Sequence, residues 1–372
     1  MKVLMVSDSF YPFKGGVAEH LHHLSKSLVR RGHDVTILTA NYPGGDDQNY
    51  PYQVVRVGRV LILPSRRIFN YTRVTITVLN PLGIRNFLKY NKFDVVHVHG
   101  PLTFNLPQTV LHYSRYCNVA TFHTQYFGFN WNKVFKLFWG NEARKIHAAI
   151  FVSETARNTA STFKFNREFI IPNGIDIERF SPEGAKVNWM REGNKPVILF
   201  VGRLEERKGV DVMLKAVEKL DVRTVVVGDG PMRSKLNGHK VTFVGEVQPE
   251  ELPLYYRSAD VFVAPSIGGE TFGIVLLEAM ASGVPVIASN IEGYRNVVVH
   301  GRNGLLFESG NPDSLRNQLV ELLKKPSLKN ILIHEGLKTA RKFDWNLISV
   351  KIEEVYKTCI KEGRDDKEET FT

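Results

Sequence analysis

The sequence predicts an α/β protein with two doubly wound domains, each built on a parallel sheet. Three observations carry that prediction. Short apolar, β-branched runs alternate with segments of helical period. The alternation restarts near residue 196. A stretch rich in Pro, Gly, Asn and charge, 172–195, separates the halves. At 372 residues the chain is too long for one ordinary core and fits two.

In the first half the strand runs are Val3–Ser7, Asp34–Thr39, Val54–Val57, Asp94–His99, Ala120–His123, Ala149–Ser153 and Phe169–Ile171. In the second they are Val197–Val201, Thr224–Val227, Val241–Val244, Val261–Ala264 and Pro285–Ala288. Runs this apolar suit a sheet covered on both faces. Val17–Arg31 and Gly209–Leu220 read as amphipathic crossover helices. Ligand sites of such folds gather at the carboxyl ends of the strands, so a cleft between the domains is the expected site. The last residues, Lys361–Thr372, are mostly charged and are expected to fray.

Hydrophobic residues make up 43% and charged residues 23%, which excludes a mainly disordered or fibrous chain. The longest apolar stretch, Phe272–Ser289, contains Glu278, Gly283 and Pro285. It reads as helix, loop and strand, so no membrane span is expected. Acid at Asp8 comes too early for a secretory leader. The two cysteines, Cys117 and Cys359, form neither a disulfide framework nor a metal cluster, which fits a reducing, cytoplasmic setting. Charge is one-sided. Residues 1–172 hold 21 Lys and Arg against 9 Asp and Glu, whereas the remainder holds 28 against 29. A basic first half suits an anionic partner.

Lys14–Gly15–Gly16 follows the first strand and opens the first helix, where main-chain amides can approach an anion; an empty tight turn is the alternative. The absence of G-x-G-x-x-G there argues against an ordinary dehydrogenase. Arg203, Arg207 and Lys208 lie at the matching place in the second half and suit a diphosphate, or else a solvated charged loop. Glu270–Thr271–Phe272–Gly273–Ile274 precedes an apolar helix carrying Glu278. Carboxylates accept from sugar diols, and free first-turn amides accept a phosphate or sugar oxygen; the alternative for Glu270 is a helix cap. His97, His99 and His123 end first-half strands. A His97–His99 metal pair is conceivable, but no Cys or carboxylate cluster accompanies it, and a substrate contact or a packed core histidine is favoured.

Gly15–Gly16, Phe122–His123–Thr124, Pro172–Asn173–Gly174–Ile175–Asp176, Val201–Gly202–Arg203 with Lys208, Gly228–Asp229–Gly230–Pro231 and the span from Glu270 to Glu278 together resemble family-4 retaining glycosyltransferases, and within them the inositol-lipid mannosyltransferases. The resemblance implies the GT-B fold, two Rossmann-like domains facing a central cleft. Residues 1–174 would bind acceptor, with a C-terminal helix at about 346–372 packing back on them, and residues 175–345 would bind the nucleotide sugar. It also implies site residues. Gly16, Arg203 and Lys208 would meet the diphosphate, and Glu278 the ribose. Glu270, Phe272, Gly273 and Ile274 would hold the transferred sugar and nearby phosphate, His123 a sugar hydroxyl, and the Val247–Glu251 loop the base. His123, Arg203, Lys208 and Glu270 would be the catalytic set. No metal or other cofactor is expected, because the cations and helix N-termini would take the charge of the departing diphosphate.

The implied reaction moves a hexose, mannose from GDP-mannose being favoured and a UDP-sugar the alternative, with its anomeric configuration kept. Ala18 stands where the mannosyltransferase branch carries an amide, and 64–88 matches poorly; both regions are expected to face the acceptor. Lys14, Arg66, Arg67, Arg85, Lys89 and Lys92 are the residues expected to meet an anionic or lipid-linked acceptor at the inner face of the cell membrane. A solvated helix face and a soluble sugar or sugar-phosphate acceptor are the alternatives. A nucleotide-sugar epimerase is a further alternative. Nucleic acid is not an expected partner, because interleaved aromatic and basic repeats are missing.

Overall fold

The computed structural model describes residues 1–13, 15–44, 49–64, 73–101, 106–123, 140–161, 163–236, 238 and 240–369. The chain divides into two compact units, Met1–Gly174 with Trp345–Thr372, and Ile175–Asp344.

The first unit is built on a parallel sheet of β1 (Lys2–Ser7), β2 (Asp34–Ala40), β3 (Gln53–Val57), β6 (Val95–His99), β7 (Cys117–Phe122), β8 (Ala148–Phe151) and β9 (Glu168–Ile170), in the order β3-β2-β1-β6-β7-β8-β9. All five residues of β6 are buried, as a central strand covered on both faces requires. The helix Gly16–Arg30 lays Leu21, Leu24 and Leu28 onto Val3, Met5 and Ile37. Between β3 and β6 the chain departs from the expected pattern. β4 (Arg59–Pro64) and β5 (Arg73–Val78) pair antiparallel as a two-stranded sheet that, among the described residues, makes no pairing to the parallel sheet.

The helix Trp345–Glu369 completes this unit's core through Trp345, Ile348, Ile352, Val355 and Tyr356. Its helical backbone runs to Glu369. Glu, Lys and Arg are good helix formers, and the segment continues an anchored helix, so no new nucleus is needed. Ser27 Oγ donates to Ser349 Oγ at 2.9 Å, and Arg31 Nε donates to Glu353 Oε2 at 2.6 Å.

The same helix overturns the reading of the cysteines. Cys359 is disulfide-bonded to Cys117 at the start of β7, with Cα atoms 6.0 Å apart across 242 residues of sequence. The returning helix brings together two residues whose separation along the chain had suggested independent thiols.

The second unit carries β10 (Val197–Val201), β11 (Arg223–Val227), β12 (Thr242–Gly245), β13 (Val261–Ala264), β14 (Val286–Ser289) and β15 (Leu305–Phe307), all parallel, in the order β12-β11-β10-β13-β14-β15. Ile198, Phe200, Val226, Val263 and Ile287 pack with Met213 and Leu214 of the helix Val210–Val217 and with Leu315 and Leu319 of the helix Pro312–Lys324. The apolar stretch after Phe272 resolves as read from sequence, into the helix Ile274–Ala281 and then β14. Among the described residues no helix is long and apolar enough to cross a membrane.

Candidate active site

In the second unit the loop after β10 and the segment after β13 meet. Arg207 Nη1 lies 3.0 Å and Lys208 Nζ 2.5 Å from the same oxygen, Glu270 Oε1. Glu205 takes the other cations, with Arg203 Nε 3.0 Å from Oε1 and Arg207 Nε 3.0 Å from Oε2. The charged run is therefore an ordered ion-pair network, and its Lys208–Glu270 pair is largely buried, at 16% and 14% exposure. Such a pair is held by low dielectric and by shared hydrogen bonds more than a surface pair would be.

Glu270 does not cap the helix Ile274–Ala281. Gly273 occupies the N-cap with no side-chain hydrogen bond, so the first-turn amides are not taken by a capping side chain. Glu278 sits on that helix, half-buried, and accepts from Tyr256 OH at 2.7 Å. Burial first, and the Glu278 carboxylate second, push the Tyr256 hydroxyl well above its ordinary pKa, so it remains a donor at neutral pH. In the loop expected to meet a base, Val247 is half-buried, and Gln248 and Glu251 close a capping box.

In the first unit Gly15 and Gly16 open the helix Gly16–Arg30. Gly15 is extended at φ 172°, a Cβ there would meet only the Phe13 ring at 3.8 Å, and a Cβ on Gly16 would meet nothing within 4 Å. Among the described residues, neither position is thus sterically restricted to glycine. Nor does any side chain cap this helix among the described residues.

His97 is a core residue, hydrogen-bonded to Tyr356 OH at 2.6 Å and to Thr121 Oγ1 at 2.7 Å. His99 Nδ1 lies 3.1 Å from His123 Nε2, and His20, which sequence reasoning missed, packs against both with ring centroids 5.3 and 4.7 Å away. Burial holds the pKa values of His97, His99 and His123 well below 6.5; it lowers that of His20 to about 4 against the opposing Asn173 hydrogen bond.

Arg85, Lys89 and Lys92 are exposed on and after the helix Pro81–Tyr90, beside exposed Leu82 and Tyr90, while Ile84 and Leu88 turn inward. Lys14, Arg66 and Arg67 lie outside the described residues.

Two family profiles match the chain, "Glycosyltransferase Family 4" over residues 14–179 and "Glycosyl transferases group 1" over residues 185–339. The phosphatidyl-myo-inositol mannosyltransferase of Mycobacterium leprae is 32% identical over 374 residues, covering 98% of this chain and 98% of that protein. The chain belongs to glycosyltransferase family 4. The protein of the same name from Mycolicibacterium smegmatis is 31% identical, with 96% of this chain and 94% of that one covered. Among solved structures, HepE of Anabaena in complex with UDP superposes with a TM-score of 0.76 at 19% identity, over 96% of this chain and 100% of that one. Sucrose-phosphate synthase from Thermosynechococcus elongatus gives 0.74 at 20% identity, over 96% and 98%. These two likenesses establish the GT-B fold of this family-4 glycosyltransferase.

The glycosyltransferase also holds its Glu270 through residues that motif spacing did not single out. Ser266 Oγ lies 3.5 Å from Glu270 Oε1 and 2.8 Å from Tyr294 OH. Gly293 packs so tightly on this turn that a Cβ would stand 1.9 Å from the Glu270 carbonyl oxygen. Glu205 lay inside the recognised loop, but nothing in its spacing announced that it clamps two arginines.

Proposed function

We propose that this glycosyltransferase moves a hexose, mannose from GDP-mannose, with retained configuration onto a lipid-linked or anionic acceptor at a membrane surface. The observation that carries the reading is the near full-length likeness to the M. leprae phosphatidyl-myo-inositol mannosyltransferase. The donor's diphosphate binds Arg203, Arg207 and Lys208, and Glu278 accepts from the ribose. Main-chain amides around Phe272, Gly273 and Ile274, with Thr271 and Glu270, hold the sugar and its neighbouring phosphate. Gly15 and Gly16 offer amides to an anionic group of substrate, His123 contacts a sugar hydroxyl, and Val247 borders the base.

The chemistry follows from charge. As the bond from the anomeric carbon to the phosphate oxygen breaks, negative charge grows on the diphosphate. Arg203 and Lys208 oppose it before the reaction starts, with no reorganisation needed at the transition state. Attachment to the inner face of the cell membrane through Arg85, Lys89 and Lys92 is supported by their exposure beside Leu82 and Tyr90. The cysteines no longer argue for a reducing compartment. HepE is a structural neighbour solved with UDP and glucose, which favours one second reading, a UDP-sugar donor with a soluble acceptor.

The test is a panel of nucleotide sugars read by thermal shift and by product mass, with and without phosphatidylinositol vesicles. GDP-mannose alone should stabilise the protein, and mannosylated lipid should form. Stabilisation by UDP-glucose alone overturns the donor assignment, and transfer without lipid overturns the acceptor assignment. Lys208→Ala should lower kcat about 100- to 1,000-fold, the usual range for losing one preorganised charge-stabilising group; unchanged turnover removes the leaving-group account.

A further inference from the structure

The second unit has a cavity that the donor network does not use. Pro196 and Asp260 immediately precede β10 and β13, at the amino ends of those strands, whereas Arg203, Lys208 and Glu270 follow the carboxyl ends. Around Pro196 and Asp260 opens a cavity of about 440 Å³, lined also by Arg191, Asn194, Lys195, Leu323 and Lys329. One carboxylate gathers two of its cations. Arg191 Nη1 donates to Asp260 Oδ2 at 3.0 Å and Lys329 Nζ to Oδ1 at 3.1 Å, while the Val197 amide donates to Oδ2 at 3.0 Å. Burial opposes charge on Asp260, but these partners outweigh it and hold its pKa below the ordinary value. Lys195 pairs with Asp221 at 2.5 Å, and both side chains are exposed, at 57% and 81%. A pair so exposed contributes little, which leaves Lys195 available to another anion.

From this lining we infer that the cavity binds a small phosphorylated metabolite of sugar-phosphate size. Three cations, Arg191, Lys195 and Lys329, against the one carboxylate of Asp260 leave two positive charges in excess, which matches a phosphate monoester dianion at neutral pH. Asp260 holds the cations in position without cancelling them. Among the described residues Arg191 spends only Nη1 on protein acceptors, so Nε and Nη2 keep their donors for ligand oxygens, in the planar fork that suits phosphate. The turn that carries Arg191 is pinned in advance. Met190 is fully buried, Arg223 Nη2 donates to the Glu192 carbonyl at 2.8 Å, and Arg223 Nη1 donates to the Trp189 carbonyl. Lys329 stands near the N-terminus of the helix Pro326–Lys342, where the helix dipole opposes a cation and favours an anion. Volume sets the size of the ligand. The cavity exceeds what a bare phosphate fills and lies within the range of small-molecule sites, about 300–1,000 Å³. The exposed Asn194 amide, which makes no hydrogen bond among the described residues, offers a donor and an acceptor to hydroxyl groups, and Pro196 and Leu323 offer apolar surface to the C–H groups of a sugar ring. This site is separate from the donor network and stands whether or not GDP-mannose is the donor.

The experiment titrates the full chain by calorimetry with mannose 6-phosphate, inorganic phosphate and mannose as probes. One equivalent of mannose 6-phosphate should bind, about 10-fold tighter than inorganic phosphate, and mannose should give no binding heat. Arg191→Gln and Lys195→Glu should each weaken binding about 10-fold, the loss expected for one charge-assisted hydrogen bond. Lys208→Ala, in the donor network, should bind the sugar phosphate as the parent does. Lys195→Glu changes an exposed side chain, which keeps the test open if Arg191→Gln does not fold. The inference is overturned if no probe binds at up to about 10 mM, or if inorganic phosphate or mannose binds as tightly as mannose 6-phosphate. It is equally overturned if Lys208→Ala abolishes binding while Arg191→Gln and Lys195→Glu leave it intact.

Discussion

Acidification should loosen the terminal helix from the first unit through one carboxylate. Glu353 is 9% exposed and faces two cations, Arg31 Nε at 2.6 Å and Lys357 Nζ at 2.9 Å, and the His33 ring with Nε2 at 3.4 Å. Burial pushes its pKa up, but the hydrogen bonds from Lys357 and Arg31, with the contact to His33, outweigh burial and hold it at about 2 against an ordinary 4.5. A folded-state pKa below the unfolded one means the charged form is favoured by folding. The stabilisation is then complete above pH 4.5 and is lost as pH falls from 4.5 towards 2. A shift of that size corresponds to about 3 kcal/mol. Arg31 and Lys357 are 35% and 51% exposed, so solvent screening reduces the contribution to about 1–2 kcal/mol. The assay is urea unfolding of the parent and Glu353→Gln at pH 7, 4.5, 3 and 2.5. Glu353→Gln should be less stable by that amount at pH 7, and the gap should close towards pH 2.5. A gap that stays constant across the series refutes the argument.

Three other outcomes are expected. Reducing the Cys117–Cys359 bridge, or Cys359→Ser, should lower stability by about 3–5 kcal/mol, because the closed loop spans 242 residues; an unchanged melting temperature in reductant would contradict this. Gly293→Ala must push the Glu270 turn away, since the new methyl would sit 1.9 Å from its carbonyl oxygen; a stability loss of about 1–3 kcal/mol and a transfer rate at least 10-fold lower are expected in steady-state kinetics. Glu270→Gln removes a negative charge 2.5 Å from Lys208. It should tighten binding of free nucleoside diphosphate several-fold in calorimetry while lowering kcat, and weaker diphosphate binding would count against the assigned role of Lys208.

The fold was legible where a strand carried enough β-branched residues to declare itself. Val3–Ser7, Val197–Val201 and Val261–Ala264 are buried central strands with continuous apolar runs, and each was read almost to its ends. β15 escaped because Leu305–Phe307 carries no β-branched residue to mark it as a strand. The two-stranded sheet of Arg59–Pro64 and Arg73–Val78 escaped because, among the described residues, it does not pair with the parallel sheet, so the alternation of strand and helix gave no place for it. Site residues divide in the same way. Arg203, Lys208, Glu270 and Glu278 belong to motifs contiguous with a helix start, where the chemistry is local. His20, Tyr256, Ser266 and Gly293 act through contacts between distant segments. Only the register of packed elements brings His20 to His99, or Tyr256 to Glu278, and that register is not written in any short window.

Glu205 and Glu270 raise the question of why a loop suited to an anion should carry carboxylates at all. Three cations crowded into a half-buried loop would repel one another and pull the backbone apart in the absence of ligand. Two carboxylates against three cations leave a single positive charge in excess, and each carboxylate is shared between two cations rather than neutralising one. Sharing fixes position. Arg207 is held from two sides, and Lys208 and Arg207 converge on one oxygen, so the cations are aimed before any ligand arrives. In the proposed reaction a diphosphate that reaches them would meet charges whose orientation folding has already determined. Its binding free energy would then not be consumed in ordering long side chains, and more of it would be left to act on the breaking bond to the sugar.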